Sequence, residues 1–157
     1  MKTIPSFQID HNILEKGIYI SRIDDDITTY DIRVKKPNCD PVLTTSAAHT
    51  IEHIFATYVR NTQFADNIIY FGPMGCRTGF YFLTRNLSDK YVIGLIKETF
   101  EYIANFWGQI PGATPHECGN CLDHNLPEAK EEARSFLKVI ENWGVEDLEY
   151  PKKEDEE

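Results

Sequence analysis

Two histidines and a glutamate lie within five consecutive residues at the spacing of a metal site. His49, Glu52 and His53 form an H-x-x-E-H segment. On a helix, the two histidines are one turn apart on one face, so their imidazoles can converge on one cation with Glu52 beside them. The order is the reverse of the H-E-x-x-H motif of zinc-dependent peptidases. Taken alone, the segment is equally well explained by a surface helix with two solvated histidines.

A helical-wheel count favours a helix that carries a site. At about 100° per residue, His49, Glu52 and His53 fall within about 100° of one another. The apolar residues of the segment lie on the opposite side, between about 140° and 240°; they are Ile51, Ile54, Phe55 and Tyr58. One face can therefore pack on a core while the other lines a cleft.

A catalytic cation needs a third protein ligand and an open position. Cys118 is a candidate, because Gly119 after it lets the backbone approach closely. Cys118 and Cys121 also form a C-x-x-C pair, as in half of a four-cysteine zinc site or in a redox pair, but the sequence has no second C-x-x-C. We expect Cys121 to be a buried apolar residue, and His116 and His124 to be solvated loop histidines.

A second thiol and two arginines complete the candidate chemistry. Cys76 lies in a Gly-Cys-Arg-Thr-Gly turn, which can present its thiol to a cleft, where a nearby cation would favour the thiolate. Arg33 alternates with apolar residues on an earlier strand and points either into a cleft or into water. Arg60 lies eleven residues beyond His49, roughly 16 Å along the helix, where it can clamp a substrate carboxylate. The alternatives are a buried structural cysteine and a plain surface arginine.

The elements that must position these residues follow from hydrophobic periodicity and turn signals. We predict a hairpin of strands 17–23 and 29–35, strands 67–71 and 79–84, and helices 46–61 (capped by Thr45 or Ser46), 89–107 (with Trp107 on its apolar face) and 127–143. Strand pairs separated by helices predict an α+β fold, a two-layer sandwich of a mostly antiparallel sheet packed with helices. We expect one domain over residues 1–150 and a charged tail over 151–157, with fraying already after Trp143.

Charge and composition exclude several classes of protein. The chain has 157 residues, and 16 Lys and Arg against 25 Asp and Glu give a net charge of −9. This balance argues against binding to nucleic acid or to an anionic membrane. The sequence has neither a leader-like start nor an apolar run of membrane-spanning length, so we expect a cytoplasmic protein. In a reducing compartment, its 4 cysteines are more often ligands, nucleophiles or buried residues than disulfides.

Five patches occur in the order seen in the S-ribosylhomocysteine lyase (LuxS) family, and the chain resembles that family over about residues 5–130. The patches are residues 6–12, 31–33 with 37–38, 49–53, 73–79 and 118–119. The resemblance implies metal-dependent cleavage of the thioether of S-ribosylhomocysteine by carbonyl migration and β-elimination. The products would be L-homocysteine and 4,5-dihydroxy-2,3-pentanedione, the precursor of autoinducer-2, in a step of the activated methyl cycle.

The resemblance also implies partners, a cofactor and residue roles. It implies a homodimer with its sites at the subunit interface, a fold similar to H-x-x-E-H metallopeptidase domains, and one divalent cation per subunit, Fe²⁺ with Zn²⁺ or Co²⁺ as substitutes. By motif position, the metal ligands would be His49, His53 and Cys118. The acid/base pair would be Glu52 and Cys76, with Arg33 near the thiol. The substrate contacts would be Ser6, His11 and Arg60. Tyr70 stands where many members have an aspartate that contacts the amino acid part of the substrate.

Three other readings remain open from the residues themselves. A small H-x-x-E-H metallopeptidase would use a carboxylate as third ligand and would not need Cys76. A non-catalytic metal-binding domain would close the site with a fourth protein ligand, for example Cys121 or His116. A thiol redox protein would form a reversible disulfide between Cys118 and Cys121. We rank the lyase above all three.

Overall fold

The computed structural model describes residues 1–152 as four strands, four helices and two short 3-10 turns. The strands are β1 (Gly17–Asp24), β2 (Ile27–Arg33), β3 (Ile68–Pro73) and β4 (Gly79–Arg85), and the helices are α1 (Pro5–Gln8), α2 (Thr45–Val59), α3 (Asp89–Ala104) and α4 (Leu126–Ile140). In this part of the chain, no helix is long and apolar enough to cross a membrane.

The strands form one antiparallel sheet in the order β1-β2-β4-β3. It consists of the predicted β1–β2 hairpin and a second hairpin formed by β3 and β4, and the two hairpins pair through the central strands β2 and β4, where Arg33 is opposite Gly79. The first hairpin turns at Asp25, which adopts a positive φ of 54°, a conformation that Asp tolerates better than most residues. The predicted strand pairs are confirmed, although β2 ends two residues earlier and β3 two residues later than the periodicity indicates.

Helices α2, α3 and α4 pack with the sheet around one aromatic core, which confirms the α+β sandwich. Phe55 of α2 stacks on Phe71 of β3, with ring centroids 3.8 Å apart. Phe82 of β4 and Phe100 of α3 meet the same ring edge-on at 5.1 and 5.6 Å. All four rings are buried, so the two layers are held together mainly by burial of apolar surface. The similarity to metallopeptidase domains stays a prediction.

Helix α2, which carries the H-x-x-E-H segment, has the two faces that the wheel predicts. Ile51 and Ile54 are fully buried, whereas Tyr58 is half-buried. The side chain of Thr44 accepts a hydrogen bond from the backbone N–H of Ala47 at 3.1 Å and caps the helix. The predicted caps, Thr45 and Ser46, are therefore wrong, and the helix begins with Thr45 itself.

Two expectations about the ends of later elements were wrong. Helix α3 ends at Ala104, and Trp107 lies beyond it with 87% of its surface exposed, so it is not part of the buried face. The chain after Trp143 does not fray at once: Leu148 is buried, and its carbonyl accepts a hydrogen bond from the N–H of Ile20 at 2.8 Å. This segment continues packing against β1 through residue 150; residues 153–157 of the charged tail lie outside the described residues.

Candidate metal centre and thiol cavity

His49 and His53 present the same ring nitrogen to one point beside α2. The Nδ1 atom of His49 lies 2.8 Å from the carbonyl oxygen of Asp123, and that of His53 lies 2.8 Å from the carbonyl oxygen of Pro111. A carbonyl only accepts, so each Nδ1 carries the proton and donates. Each Nε2 is then left with its lone pair, which is the form that binds a metal ion.

Cys118 supplies a sulfur at the point where the two rings converge. Its Sγ atom lies 3.4 Å from Nε2 of His49 and 4.0 Å from Nε2 of His53. In a tetrahedral site with Zn–N of about 2.0–2.1 Å and Zn–S of about 2.3 Å, neighbouring N and S ligands stand about 3.6 Å apart. The measured separations bracket that value. The three residues therefore fit a single divalent cation.

His124 also belongs to this cluster, which the sequence did not predict. Its ring stacks on that of His49, with centroids 4.0 Å apart, and the ligand atoms of His49, His53, Cys118 and His124 all lie within 4.8 Å of one another. Thr50 holds Nδ1 of His124 at 3.0 Å, while Nε2 is buried without a hydrogen-bond partner among the described residues. Burial and the two neighbouring imidazoles lower the pKa of His124, which favours the neutral ring. The expectation of a solvated loop histidine was wrong.

Three other residues that the sequence analysis named, Glu52, Cys121 and His116, lie outside this cluster. Glu52 is half-buried on α2, immediately before His53. Cys121 is half-buried rather than fully buried as expected, and both it and Cys118 are free thiols. His116 is exposed, as expected. None of these three belongs to the four-residue cluster found within the described part of the chain.

Cys76 lies on the exposed turn between β3 and β4, as the glycine-rich pattern predicts. Backbone hydrogen bonds from Met74 to Gly79 and from Arg77 to Met74, of 2.9 and 3.0 Å, hold the turn. The Sγ atom of Cys76 lies 3.0 Å from Oγ1 of Thr78. The turn thus exposes the side chain of Cys76 to solvent, while the hydroxyl of Thr78 contacts its sulfur.

Arg33 points into the protein, towards this thiol. It is only 2% exposed, and its Nη1 atom lies 4.0 Å from Sγ of Cys76. Asp31, which is fully buried, pairs with the opposite edge of the guanidinium through two hydrogen bonds of 3.1 and 2.6 Å. Burial opposes the charge of Arg33, but the pair with Asp31 more than offsets it and raises the pKa of Arg33.

A cavity of about 450 Å³ opens beside the thiol and brings four predicted site residues together: Ser6, His11, Arg33 and Cys76. Among the described residues that line it, none comes from the His49–His53–Cys118 cluster. One chain therefore presents the predicted site in two parts, a metal cluster and a thiol cavity.

Arg60 and Tyr70 belong neither to the described lining of the thiol cavity nor to the four-residue metal cluster. Arg60 follows the end of α2, and its guanidinium donates to the carbonyls of Ala56 and Ile69 at 3.3 and 3.4 Å. Tyr70 is half exposed and lines a second cavity of about 530 Å³, which shares Ser6 with the thiol cavity. The role of Arg60 in substrate binding stays a prediction.

Comparison with known proteins gives a consistent result. A family model described as S-ribosylhomocysteinase (LuxS) matches residues 4–146. A protein of Porphyromonas gingivalis is 51% identical over 96% of this chain and 99% of its own length. Proteins of Phocaeicola vulgatus and Borreliella afzelii are each 50% identical, over 98% and 96% of this chain and 100% of their own lengths. All three relatives are named S-ribosylhomocysteine lyase.

Proposed function

The chain belongs to the S-ribosylhomocysteine lyase (LuxS) family, and from this premise we propose that it cleaves the thioether of S-ribosylhomocysteine. It is a carbon–sulfur lyase that yields L-homocysteine and 4,5-dihydroxy-2,3-pentanedione, the autoinducer-2 precursor. One observation carries the assignment: two imidazoles and a thiol converge on one point, in a chain whose relatives bear this name. A metallopeptidase is not favoured, because the third donor is the sulfur of Cys118 rather than a carboxylate.

The proposed cofactor is one divalent cation per subunit, held by His49, His53 and Cys118. A mixed set of imidazole and thiolate ligands suits Fe²⁺, Zn²⁺ and Co²⁺ better than the hard cations Mg²⁺ and Ca²⁺, and we propose Fe²⁺ as the native ion. When bound, the cation supplies Lewis-acid stabilisation of the negative charge that develops on sugar oxygens.

The proposed roles of Glu52 and Cys76 follow from what the reaction requires. The carbonyl must move from C1 of the ribose to C3 by proton transfers, after which C4–H is acidic and the sulfur on C5 is β to the carbonyl. Cys76, whose sulfur lies 4.0 Å from Nη1 of Arg33, removes and returns the carbon-bound protons. Glu52 moves protons between the sugar oxygens and protonates the homocysteine sulfur when the C5–S bond breaks. Oxidation state is conserved, so no redox partner is needed.

The proposed substrate contacts are Ser6 and His11 at the ribose and Arg60 at the homocysteine end. Ser6 and His11 are supported by their place in the cavity of Cys76. Arg60 would pair with the substrate carboxylate after giving up its long hydrogen bonds to backbone carbonyls. Tyr70 offers a phenol oxygen where many family members have a carboxylate.

We also propose a homodimer whose sites lie at the subunit interface. The separation of the metal cluster from the thiol cavity within one chain supports this, because a second copy can bring the two parts together. The net charge of −9 supports a partner set without nucleic acid or anionic membrane. A free thiol as metal ligand suits the reducing cytoplasm, where we place the enzyme.

Incubation of iron-loaded protein with S-ribosylhomocysteine under anaerobic conditions, scored for free thiol, tests the activity. Release of homocysteine that stops after thiol alkylation is expected. Absence of thiol release from fully metal-loaded protein would refute the proposal.

Subunit mixing tests the shared site. We expect Cys76→Ala and His49→Ala proteins to be inactive alone, and to regain about a quarter of wild-type activity after mixing, because half the dimers would then hold one intact site. Failure to complement, with subunit exchange demonstrated, would place both parts of a site in one chain.

A further inference from the structure

A continuous set of hydrogen bonds runs from the C-terminal segment to the thiol. The phenol of Tyr150 donates to Oδ2 of Asp31 at 2.7 Å, and Asp31 accepts two hydrogen bonds from Arg33. On its other side, Arg33 donates through Nη1 to Oγ1 of Thr78 at 2.8 Å, and Thr78 lies 3.0 Å from Sγ of Cys76. The three central residues of this set are almost inaccessible to solvent: Asp31, Arg33 and Thr78 are 0%, 2% and 3% exposed.

We propose that Tyr150, Asp31 and Thr78 are positioning residues that hold the Nη1 edge of Arg33 against Cys76 and thereby set how much of this thiol is thiolate. The proposal rests on the proposed function only in taking Cys76 as the reactive thiol. Nothing in the motif that contains Cys76 points to Tyr150, which lies 119 residues from Asp31 along the chain.

The geometry of the guanidinium explains why Asp31 is needed. A guanidinium is planar and presents its donors in a rigid fork. Asp31 binds the edge made by Nε and Nη2, so the third nitrogen, Nη1, is left to face Thr78 and Cys76. Asp31 and Arg33 alternate on the same strand, β2, which places both side chains on one face of the sheet.

The hydrogen bond from Tyr150 adjusts the charge that reaches the thiol. A bidentate partner satisfies Arg33 but also opposes its positive charge at Cys76. A phenol that donates to Asp31 stabilises part of the carboxylate charge, so less of the charge of Arg33 is cancelled. Burial, followed by the charge of Asp31, raises the pKa of Tyr150, so the phenol keeps the proton that it donates.

Other titratable groups around this set come from three neighbouring segments, in addition to Arg77 beside Cys76 and to Glu15 and Asp147, whose charges act on Tyr19. Tyr19 of β1 is opposite Asp31 in the sheet and stacks on Tyr150 with centroids 5.0 Å apart. Tyr81 of β4 is opposite Asp31 on the other side and lines the thiol cavity. His11, which precedes β1, lines the same cavity. Tyr81 and His11 stay unchanged in every variant used below, and Tyr19 is changed only in the control variant.

Tyr150→Phe tests the proposal with the smallest change, because it removes the donated hydrogen bond and keeps the ring. Tyr19→Phe is the matched control: it also removes a phenol from the stacked pair, but its hydroxyl donates to the carbonyl of Glu15 at 3.0 Å and not to Asp31. The readout is the rate at which iodoacetamide alkylates Cys76 in the metal-loaded protein, followed by mass spectrometry across a range of pH.

We expect Tyr150→Phe to slow alkylation of Cys76 at neutral pH by about threefold, because the loss of charge is partial and acts through Arg33. The whole rate profile should move to higher pH, while Tyr19→Phe leaves it unchanged. Thr78→Val, which removes a hydrogen-bond partner of Nη1 and also the hydroxyl 3.0 Å from Sγ of Cys76, should move the profile in the same direction.

An unchanged profile in Tyr150→Phe, or equal shifts in Tyr150→Phe and Tyr19→Phe, would overturn the proposal, because Tyr150 would then only tie down the C-terminal segment. The alkylation readout uses no substrate. A shifted profile in a protein that fails to release homocysteine would therefore refute the proposed function and leave this proposal standing. Homocysteine release by a protein whose profile is not shifted in Tyr150→Phe would support the proposed function and refute the positioning role of Tyr150.

Discussion

Cys118→Ala should release the cation, whereas Cys121→Ala should not. Both changes delete one sulfur from the same loop, but only Cys118 lies within ligand distance of the two Nε2 atoms. Cys121 is half-buried, three residues further on, and outside the cluster. The pair therefore separates a ligand from a neighbouring thiol with the same chemistry.

The expected loss of metal affinity in Cys118→Ala follows from the number of ligands. Structural zinc sites with four ligands bind with about 10–16 kcal/mol, which is about 2.5–4 kcal/mol per ligand. Loss of Cys118 should therefore weaken binding by roughly a hundredfold to a thousandfold, partly compensated if His124 moves into the position of the sulfur. Cys121→Ala should stay within about threefold of wild type.

Competition of each variant with a chromogenic chelator, under anaerobic conditions, measures these affinities directly. Far-ultraviolet circular dichroism of both proteins confirms that each is folded. Equal loss of affinity in the two variants would move the ligand assignment to the C-x-x-C pair as a unit, and full retention in Cys118→Ala would refute the three-ligand geometry.

Three further predictions concern the reaction, the core and pH. Glu52→Gln and Cys76→Ala should each abolish homocysteine release while metal analysis finds a full complement; near-normal turnover in either would remove that residue from the acid/base pair. Phe55→Ala should lower the free energy of unfolding by about 3–5 kcal/mol, as measured with denaturant, and a loss below about 1 kcal/mol would contradict the central place of this ring in the core. Burial, with the charge of Asp31, raises the pKa of Tyr19 from 10.0 to about 12. Its neutral phenol therefore stabilises the fold fully below about pH 10, and this contribution disappears as the pH rises towards 12. Tyr19→Phe should flatten the plot of unfolding free energy against pH between these values. An unchanged plot would contradict the raised pKa of Tyr19.

The fold was predictable where the signal is local. The hairpins follow from alternating β-branched and aromatic residues, and the two faces of α2 follow from its 3.6-residue period, so both were found. Trp107 was misplaced because its spacing continues the apolar face of α3 after the helix has ended at Ala104. Periodicity does not report where backbone hydrogen bonding ends, which explains this error.

The candidate site was also predictable only where its residues are close together in the chain. His49 and His53 are visible because one helical turn brings them together. His124 and Tyr150 were missed because their partners, Thr50 and Asp31, lie 74 and 119 residues away in the chain. Such contacts depend on how α4 and the C-terminal segment pack, and no spacing in the sequence encodes them.

The two carbonyl contacts of the histidine rings have a kinetic consequence. Asp123 and Pro111 fix both rings through the loop that also carries Cys118, so the protein does not have to search for the ligand geometry when an ion arrives. Capture of Co²⁺ in a stopped-flow experiment should then proceed at a rate set by loss of water from the ion, in a single phase. The backbone N–H groups of residues 112–124, apart from Pro115, should exchange with solvent at similar rates before and after capture.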